Sequence, residues 1–196
     1  MKNKKLRHLL ILFFLLVLSG NVMAQGVPNI LIAYYSGSGN TQTMAEAVAS
    51  GVAQVEHVNY TIKRVEELTE REVLKASAII LGSPVYNANM APQVQAFINS
   101  WPFEGRPLKD KIGAVFVTGG GFSIGEESVM LAMIRAMLVH GMLIVGGAET
   151  EAAFGASAIT GEGEFAGKEV NPLFLNKAEG LGKRVAEWVV TLKKER

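Results

Sequence analysis

Residues 29–46 read N-I-L-I-A-Y-Y-S-G-S-G-N-T-Q-T-M-A-E, and this stretch decides the fold. Residues 30–35 are an uncharged run of apolar and aromatic residues, which predicts a strand buried on both faces. From Thr41 onward apolar residues recur at helical spacing, which predicts a helix. A strand that passes through a small polar loop into a helix places backbone N–H groups at the helix N-terminus, where a phosphate can bind.

The loop between this strand and helix carries hydroxyl and amide side chains and no cation. A Walker A loop would contain a lysine, and a dinucleotide fingerprint would have a third glycine where Gln42 stands, so both are excluded. What remains suits a terminal phosphate monoester held by neutral donors and the helix dipole. The residues concerned are Ser36, Gly37, Ser38, Gly39, Asn40 and Thr41. The alternative is an ordinary N-capped turn between a strand and a helix.

The first 24 residues predict a secretory signal peptide. Four basic residues precede an apolar run of ten residues, Leu9 to Leu18, and small residues follow up to Ala24. We therefore expect cleavage after Ala24, export to the periplasm or another extracytoplasmic space, and a single domain over residues 25–196. The apolar run is shorter than the roughly 20 residues that span a bilayer. The alternative is an uncleaved N-terminal membrane anchor, and we expect membrane contact only through this segment.

Composition excludes several classes of function. Without the four basic residues of the predicted signal peptide, the chain has a net charge of about −3 and no basic patch, which argues against nucleic-acid binding. There is no cysteine. The three histidines, His8, His57 and His140, show no metal-ligand spacing, so we expect no metal site.

Two more loops of unusual composition follow predicted strands. The strand at residues 76–81 leads into S-P-V-Y-N-A-N-M-A-P, residues 83–92, which offers an aromatic ring and two amides. The strand at residues 112–118 leads into T-G-G-G-F-S-I-G, residues 118–125, whose three glycines let the backbone approach a flat ligand. The alternative for the first of these loops is a rigid turn with a packed tyrosine.

The remaining elements complete a repeating β-α pattern. Residues 57–65 alternate as an edge strand does, with Lys63 and Arg64 interpreted as its solvated end. Residues 142–145 predict a fifth strand, residues 146–171 a long loop, and residues 173–194 a closing amphipathic helix. Trp101 belongs either to the core or to the wall of a pocket for a planar substrate. His140 is either a C-cap residue or a ligand contact.

Five β-α units predict an α/β fold, a flavodoxin-like three-layer α/β/α sandwich with a five-stranded parallel sheet in the order 2-1-3-4-5. The loops after strands 1, 3 and 4 then meet at the carboxyl edge of the sheet. A cradle for one phosphate beside surfaces for a flat heteroaromatic ring indicates FMN as the ligand.

At the level of motifs, the chain resembles the flavodoxin superfamily and, within it, the WrbA-type NAD(P)H:quinone oxidoreductases. The resemblance extends over most of residues 29–190. The motifs that carry it are Y-Y-S-G-S-G-N-T at 34–41, G-S-P-V-Y-N-A-N-M at 82–90, V-F-V-T-G-G-G-F-S at 115–123, H-G-M-L-I-V at 140–145 and F-G-A-S-A-I at 154–159.

The resemblance implies roles for these residues. Residues 36–41 would bind the FMN phosphate. The isoalloxazine ring would be lined by Pro84, Val85, Tyr86 and Asn87, and its other edge would be held by Thr118, Gly119, Gly120, Gly121, Phe122 and Ser123. His140 would be catalytic, beside the flavin and the substrate, and Trp101 would lie on the substrate side. Gly37 stands where the family usually has a bulkier residue.

The implied activity is an FMN-dependent two-electron reduction of quinone-like acceptors, with NAD(P)H as the candidate donor and a dimer or tetramer as the candidate assembly. Two alternatives stay open. One is an exported electron carrier of the flavodoxin type that exchanges electrons with a redox protein partner. The other is a flavin-binding module without turnover.

Overall fold

The computed structural model describes residues 26–167 and 169–194, so the predicted signal peptide lies outside the described residues. The strands are β1 Asn29–Tyr34, β2 Asn59–Arg64, β3 Ala78–Tyr86, β4 Asn89–Met90, β5 Ile112–Gly119, β6 Leu143–Ile144 and β7 Ala156–Ile159. The α-helices are α1 Asn40–Val52, α2 Glu70–Lys75, α3 Pro92–Asn99, α4 Glu126–Val139 and α5 Pro172–Lys194. No helix in these ranges has the length and apolarity that crossing a membrane requires.

The strands form one sheet in the order β2-β1-β3-β5-β6, and these five strands are parallel. This is the predicted doubly wound order, since β5 and β6 are the fourth and fifth strands of the sequence prediction. The predicted count of five strands is wrong, because the sheet has seven strands within the described residues.

The two additional strands are β4 and β7, which pair with the predicted strands β3 and β5. Strand β7 pairs with the last four residues of β5, whereas β6 pairs with its first two, so both occupy the fifth position of the sheet. The predicted long loop at residues 146–171 therefore contains a strand. Strand β4 turns back antiparallel on the end of β3. Neither short strand has a run of alternating residues that the sequence could reveal.

The sheet is covered on both faces, as the uncharged run at residues 30–35 predicts. Ile30 and Ile32 of β1 pack with α1 and α5 in one buried cluster, and Leu31 and Ala33 pack with α2, α3 and α4 in the other. All four residues are at most 1% exposed. Alternate side chains of one strand thus enter two cores, which explains why the run contains no polar residue.

Helices α1 and α5 touch through their backbones. A Cβ atom on Gly51 of α1 would collide with the carbonyl oxygen of Glu179, and one on Gly182 of α5 would collide with that of Val48. The two glycines therefore face each other's helix across a contact that has no room for a methyl group. Since α1 begins at the predicted phosphate loop, this contact also fixes the position of that loop.

We predict that Gly182→Ala destabilises the fold by about 3 kcal/mol, because the added methyl group must push two packed helices apart. The matched control is Gly180→Ala in the same helix, where the nearest atom to a new Cβ is the Cβ of Ala148 at 3.7 Å. The control should be neutral or slightly stabilising, since alanine favours a helix over glycine. Urea unfolding of the two variants measures the difference, and equal stabilities would contradict the backbone contact.

Candidate functional site

Three segments meet at the carboxyl edge of the sheet: the phosphate loop (residues 36–41), the hairpin (residues 84–91) and the glycine loop (residues 118–125). Strands β3 and β5 pair with Pro84 opposite Thr118, so the hairpin and the glycine loop leave the sheet side by side. The hydroxyl oxygens of Thr41 and Thr118 lie 2.7 Å apart and are buried, which ties the phosphate loop to the end of β5. The structure thus brings together the three segments that the sequence singles out.

The phosphate loop leads directly into α1. Gly39 is the N-cap residue at φ 97°, a conformation that favours glycine. The Ser36 hydroxyl accepts a hydrogen bond from the Gly39 N–H group at 3.0 Å, which holds the loop closed. No side chain of the described residues caps α1, so the N–H groups of its first turn face the loop unblocked. An ordinary side-chain cap, the alternative from the sequence, is therefore not the observed geometry.

Arg64 supports the phosphate loop on the side of β2, a role that the sequence pattern does not reveal. Its Nη1 donates to the carbonyl oxygen of Ser36 at 3.0 Å, and its guanidinium lies 5.3 Å from the centre of the Tyr35 ring. Its Nη2 donates to Glu66 at 3.2 Å. The feature that indicates this role is the pairing of β1 with β2. Tyr34 lies opposite Arg64, so the end of the edge strand β2 reaches the phosphate loop.

The hairpin closes over the phosphate loop through Tyr86. The Tyr86 hydroxyl lies 2.6 Å from the place that a Cβ on Gly37 would take, so Gly37 leaves the space that the tyrosine fills. Burial raises the pKa of Tyr86, and the nearby Tyr35 raises it further. The hydroxyl therefore stays protonated at neutral pH and can donate a hydrogen bond.

The turn of the hairpin bends onto the start of α4. Asn87 and Ala88 have φ of 50° and 59°, and positive φ at both central residues is typical of a type I′ turn. A Cβ on Gly125 would lie 2.7 Å from the Cβ of Ala88, so the turn packs directly on the glycine loop. Ser83, which is not among the residues predicted for the site, holds the base of the hairpin because its buried hydroxyl accepts a hydrogen bond from the Ala91 N–H group at 2.9 Å.

The glycine loop has an open face and a covered face. A Cβ on Gly120 would meet no described atom within 4 Å, whereas one on Gly121 would lie 2.6 Å from a carboxylate oxygen of Glu162. That same oxygen accepts a hydrogen bond from the Phe122 N–H group at 2.8 Å. The segment after β7 therefore covers one side of the loop, and the other side stays accessible to a flat ligand.

His140 and Trp101 lie at the opposite edge of the sheet. They follow α4 and α3, and both helices start at the carboxyl edge and return to the amino edge. The eight residues of β5 separate them from the loops by about 25 Å, at roughly 3.3 Å per residue. Within one chain the structure does not bring them to the three loops, and their place beside the bound ring stays a prediction. The reason is topological, since a helix after a parallel strand must run back along the sheet.

At the amino edge, His140 lies in an aromatic cluster. Its ring centre is 5.4 Å from that of Trp101 and 5.3 Å from that of Phe103, both edge-on. His140 and Trp101 are buried, and neither the His140 Nδ1 nor the Trp101 Nε1 atom has a hydrogen-bond partner among the described residues. Burial lowers the pKa of His140, and the charge of Arg106 lowers it further. The imidazole is therefore neutral at neutral pH.

The part of the chain that the structure describes contains no arrangement of side chains suited to binding a metal ion. No three His, Asp or Glu side chains converge there closely enough to hold an ion.

Known proteins match this chain in sequence. The model of the family described as NADPH-dependent FMN reductase matches residues 29–156. A protein of Solidesulfovibrio magneticus named NAD(P)H dehydrogenase (quinone) is 32% identical over 146 residues, which are 60% of this chain and 71% of that protein. A protein of Syntrophus aciditrophicus with the same name is 30% identical over 143 residues, 60% of this chain and 70% of that protein.

Solved structures match the fold. A WrbA-like flavodoxin from Agrobacterium tumefaciens aligns with a TM-score of 0.69 and 24% identity, over 84% of this chain and 98% of that one. A flavodoxin from the domain Archaea aligns with a TM-score of 0.65 and 23% identity, over 83% of this chain and 99% of that one. These neighbours confirm the predicted flavodoxin-like architecture.

The buried His140 predicts a pH dependence of stability. Because folding lowers the pKa of His140, the unfolded chain binds the proton more readily than the folded chain. Its contribution to stability is complete above the pKa of an unfolded histidine, about 6.5, and is lost as the pH falls below that value. The wild-type protein should therefore lose more stability than His140→Gln between pH 7.5 and pH 5.5 in urea unfolding.

The control for this experiment is His57→Gln, since the His57 side chain is 81% exposed. The control should keep the wild-type dependence on pH. A His140→Gln variant with the same pH dependence as the wild type would contradict the assignment.

Proposed function

The chain belongs to the family of NADPH-dependent FMN reductases, and from that premise we propose that it is an FMN-dependent oxidoreductase that reduces quinone-like acceptors by two electrons. NAD(P)H is the proposed donor, in keeping with the name of its relatives, NAD(P)H dehydrogenase (quinone). The observation that carries the proposal is the meeting of the phosphate loop, the hairpin and the glycine loop at one edge of the sheet.

The donors of the phosphate loop fit the single terminal phosphate of FMN. The first turn of α1 offers backbone N–H groups that no described side chain caps, together with the positive end of the helix dipole. The side chains around it are the neutral Ser38 and Asn40. The cation behind the loop, Arg64, donates to the Ser36 carbonyl oxygen and so orders the loop.

The other two segments fit a flat ring. The hairpin presents Tyr86, which is 42% exposed, and the glycine loop presents the bare backbone of Gly120. A backbone without side chains allows a heteroaromatic ring to approach its N–H groups closely.

Residue roles follow from this arrangement. When bound, FMN supplies the redox chemistry, taking two electrons from the donor and passing them to the acceptor. The N–H groups of α1 would hold the phosphate and so set how far the ring reaches along the edge of the sheet. The N–H groups of the glycine loop would stabilise negative charge at the ring edge. The Tyr86 hydroxyl, which is protonated at neutral pH and lies beside Gly37, would be available to donate a hydrogen bond to the bound cofactor.

An electron carrier that serves a redox protein partner is the second candidate. One observation favours it: His140 and Trp101, the predicted substrate-side residues, lie at the amino edge and not beside the loops. A carrier needs a bound flavin near the surface and does not need a pocket for a small acceptor.

We also propose that the protein is exported and that it forms a dimer or a tetramer. The basic and apolar composition of residues 1–24 supports export. The resemblance to WrbA-type enzymes supports the assembly, which light scattering of the purified protein would test.

Residues 25–196, purified with FMN, should bind it at least about a hundredfold more tightly than riboflavin, because riboflavin lacks the phosphate and forfeits at least two charge-assisted hydrogen bonds of about 1.5 kcal/mol each. Anaerobic NADPH should bleach the flavin absorbance, and benzoquinone should restore it. Bound FMN that NADPH and NADH both fail to bleach would favour the electron carrier. Failure to bind FMN would overturn both candidates.

Expression of the full chain in a bacterial host should yield a periplasmic protein whose first residue is Gln25. Cell fractionation followed by intact mass measurement tests this. A full-length chain in the membrane fraction would instead support the uncleaved anchor, and a full-length chain in the cytoplasm would contradict export.

A further inference from the structure

One segment after β7, residues 160–166, lies across the glycine loop and is called the brace here. Thr160 donates twice to the carbonyl oxygen of Gly119, from its N–H group at 2.9 Å and from its hydroxyl at 3.1 Å. At the other end of the brace, the rings of Phe165 and Phe122 lie 6.0 Å apart. Thr160 and Phe165, which lie near the two ends of the brace, therefore both contact the glycine loop.

Glu162 makes the central contact of the brace. One of its carboxylate oxygens accepts a hydrogen bond from the Phe122 N–H group at 2.8 Å, across 40 residues of chain. The same oxygen lies 2.6 Å from the place of a Cβ on Gly121, and a Cβ on Gly161 would lie 2.6 Å from the carbonyl oxygen of Gly120. At Gly121 and Gly161 the two segments are thus packed together with no space for an added side chain.

This contact matters because ordering the glycine loop costs conformational entropy. Glycine loses more conformational freedom on folding than any other residue, and three glycines stand in succession at 119–121. Phe122 N–H is outside the helices and the sheet ladder, so Glu162 supplies its hydrogen-bond acceptor. An ionised acceptor forms a stronger hydrogen bond than a neutral one.

We propose that Glu162 is a positioning residue for the cofactor site: its carboxylate holds the glycine loop in the shape that receives the flavin, and its charge makes bound FMN harder to reduce. The second effect follows because reduction adds negative charge to the ring, and a carboxylate hydrogen-bonded to the loop that would hold the ring edge repels that charge. This inference rests on the proposed function.

Three variants separate the hydrogen bond from the charge. Glu162→Ala removes both, whereas Glu162→Gln keeps an oxygen acceptor and removes only the charge. The control is Glu164→Ala, which deletes an exposed carboxylate of the same brace that makes no hydrogen bond within the described ranges. Three quantities are measured: amide exchange at Phe122 without cofactor, the Kd for FMN, and the midpoint potential of bound FMN.

In the Glu162→Ala variant the Phe122 amide hydrogen should exchange about tenfold faster than in the wild type, and FMN should bind about tenfold more weakly. This is the loss expected for one hydrogen bond to a charged group. Glu162→Gln should recover part of the lost exchange protection and affinity, because a neutral acceptor forms a weaker hydrogen bond than a carboxylate, and it should raise the midpoint potential. Glu164→Ala should leave exchange and affinity unchanged and shift the potential less than Glu162→Gln.

A fourth variant tests the contact by steric displacement. Gly121→Ala must push the carboxylate of Glu162 away, so it should also speed the exchange of the Phe122 amide. In the Glu162→Ala background the same substitution should add little, since the contact is already lost. Such non-additivity is the signature of two residues that act through one contact.

The inference would be overturned if Glu162→Ala kept the wild-type exchange rate and affinity for FMN. It would also be overturned if Glu162→Gln behaved like Glu162→Ala, or if it kept the wild-type midpoint potential. Failure of the proposed function gives a different result. In that case the wild-type protein does not bind FMN, while the exchange rates, measured without cofactor, still decide whether Glu162 holds the loop.

Discussion

The backbone contact between α1 and α5 is the constraint on which the site depends. Gly51 and Gly182 let the two helices touch without intervening side chains, and this sets where α1 lies on the sheet. Because the phosphate loop is the N-terminus of α1, the same contact sets the distance from that loop to the end of β5. The buried hydrogen bond between Thr41 and Thr118 then joins them. A contact at one end of a helix thus positions the candidate ligand-binding groups at the other.

The site itself is held by reciprocal contacts between its three segments, each of which supports another. The hairpin fills the space beside Gly37 with Tyr86 and packs Ala88 on Gly125, so it bridges the phosphate loop and the glycine loop. Two charged side chains act on the loops through backbone groups: Arg64 donates to the Ser36 carbonyl oxygen, and Glu162 accepts from the Phe122 N–H group. The groups that we propose face the ligand are neutral donors, and these two charged side chains hold the loops that carry them.

The two edges of the sheet differ in character. The carboxyl edge carries exposed loops rich in glycine and hydroxyl groups, whereas the amino edge holds a compact aromatic cluster around His140. His140 and Trp101 keep buried polar atoms without partners among the described residues, and such groups cost free energy in a fold. The separation follows from the parallel topology, which sends each helix back to the edge from which its strand began.

The sequence by itself determined the class of fold, the order of the five main strands and the three segments that meet at the site, because these depend on local patterns. A run such as residues 30–35 must be buried on both faces, and a small polar loop such as residues 36–41 must lie at the N-terminus of the helix that follows it. Only the tertiary structure decided the roles of Arg64 and Glu162, the strand β7 and the distance of His140 from the loops. Each of these depends on contacts between residues far apart in the chain, and hydrophobic periodicity carries no record of such contacts.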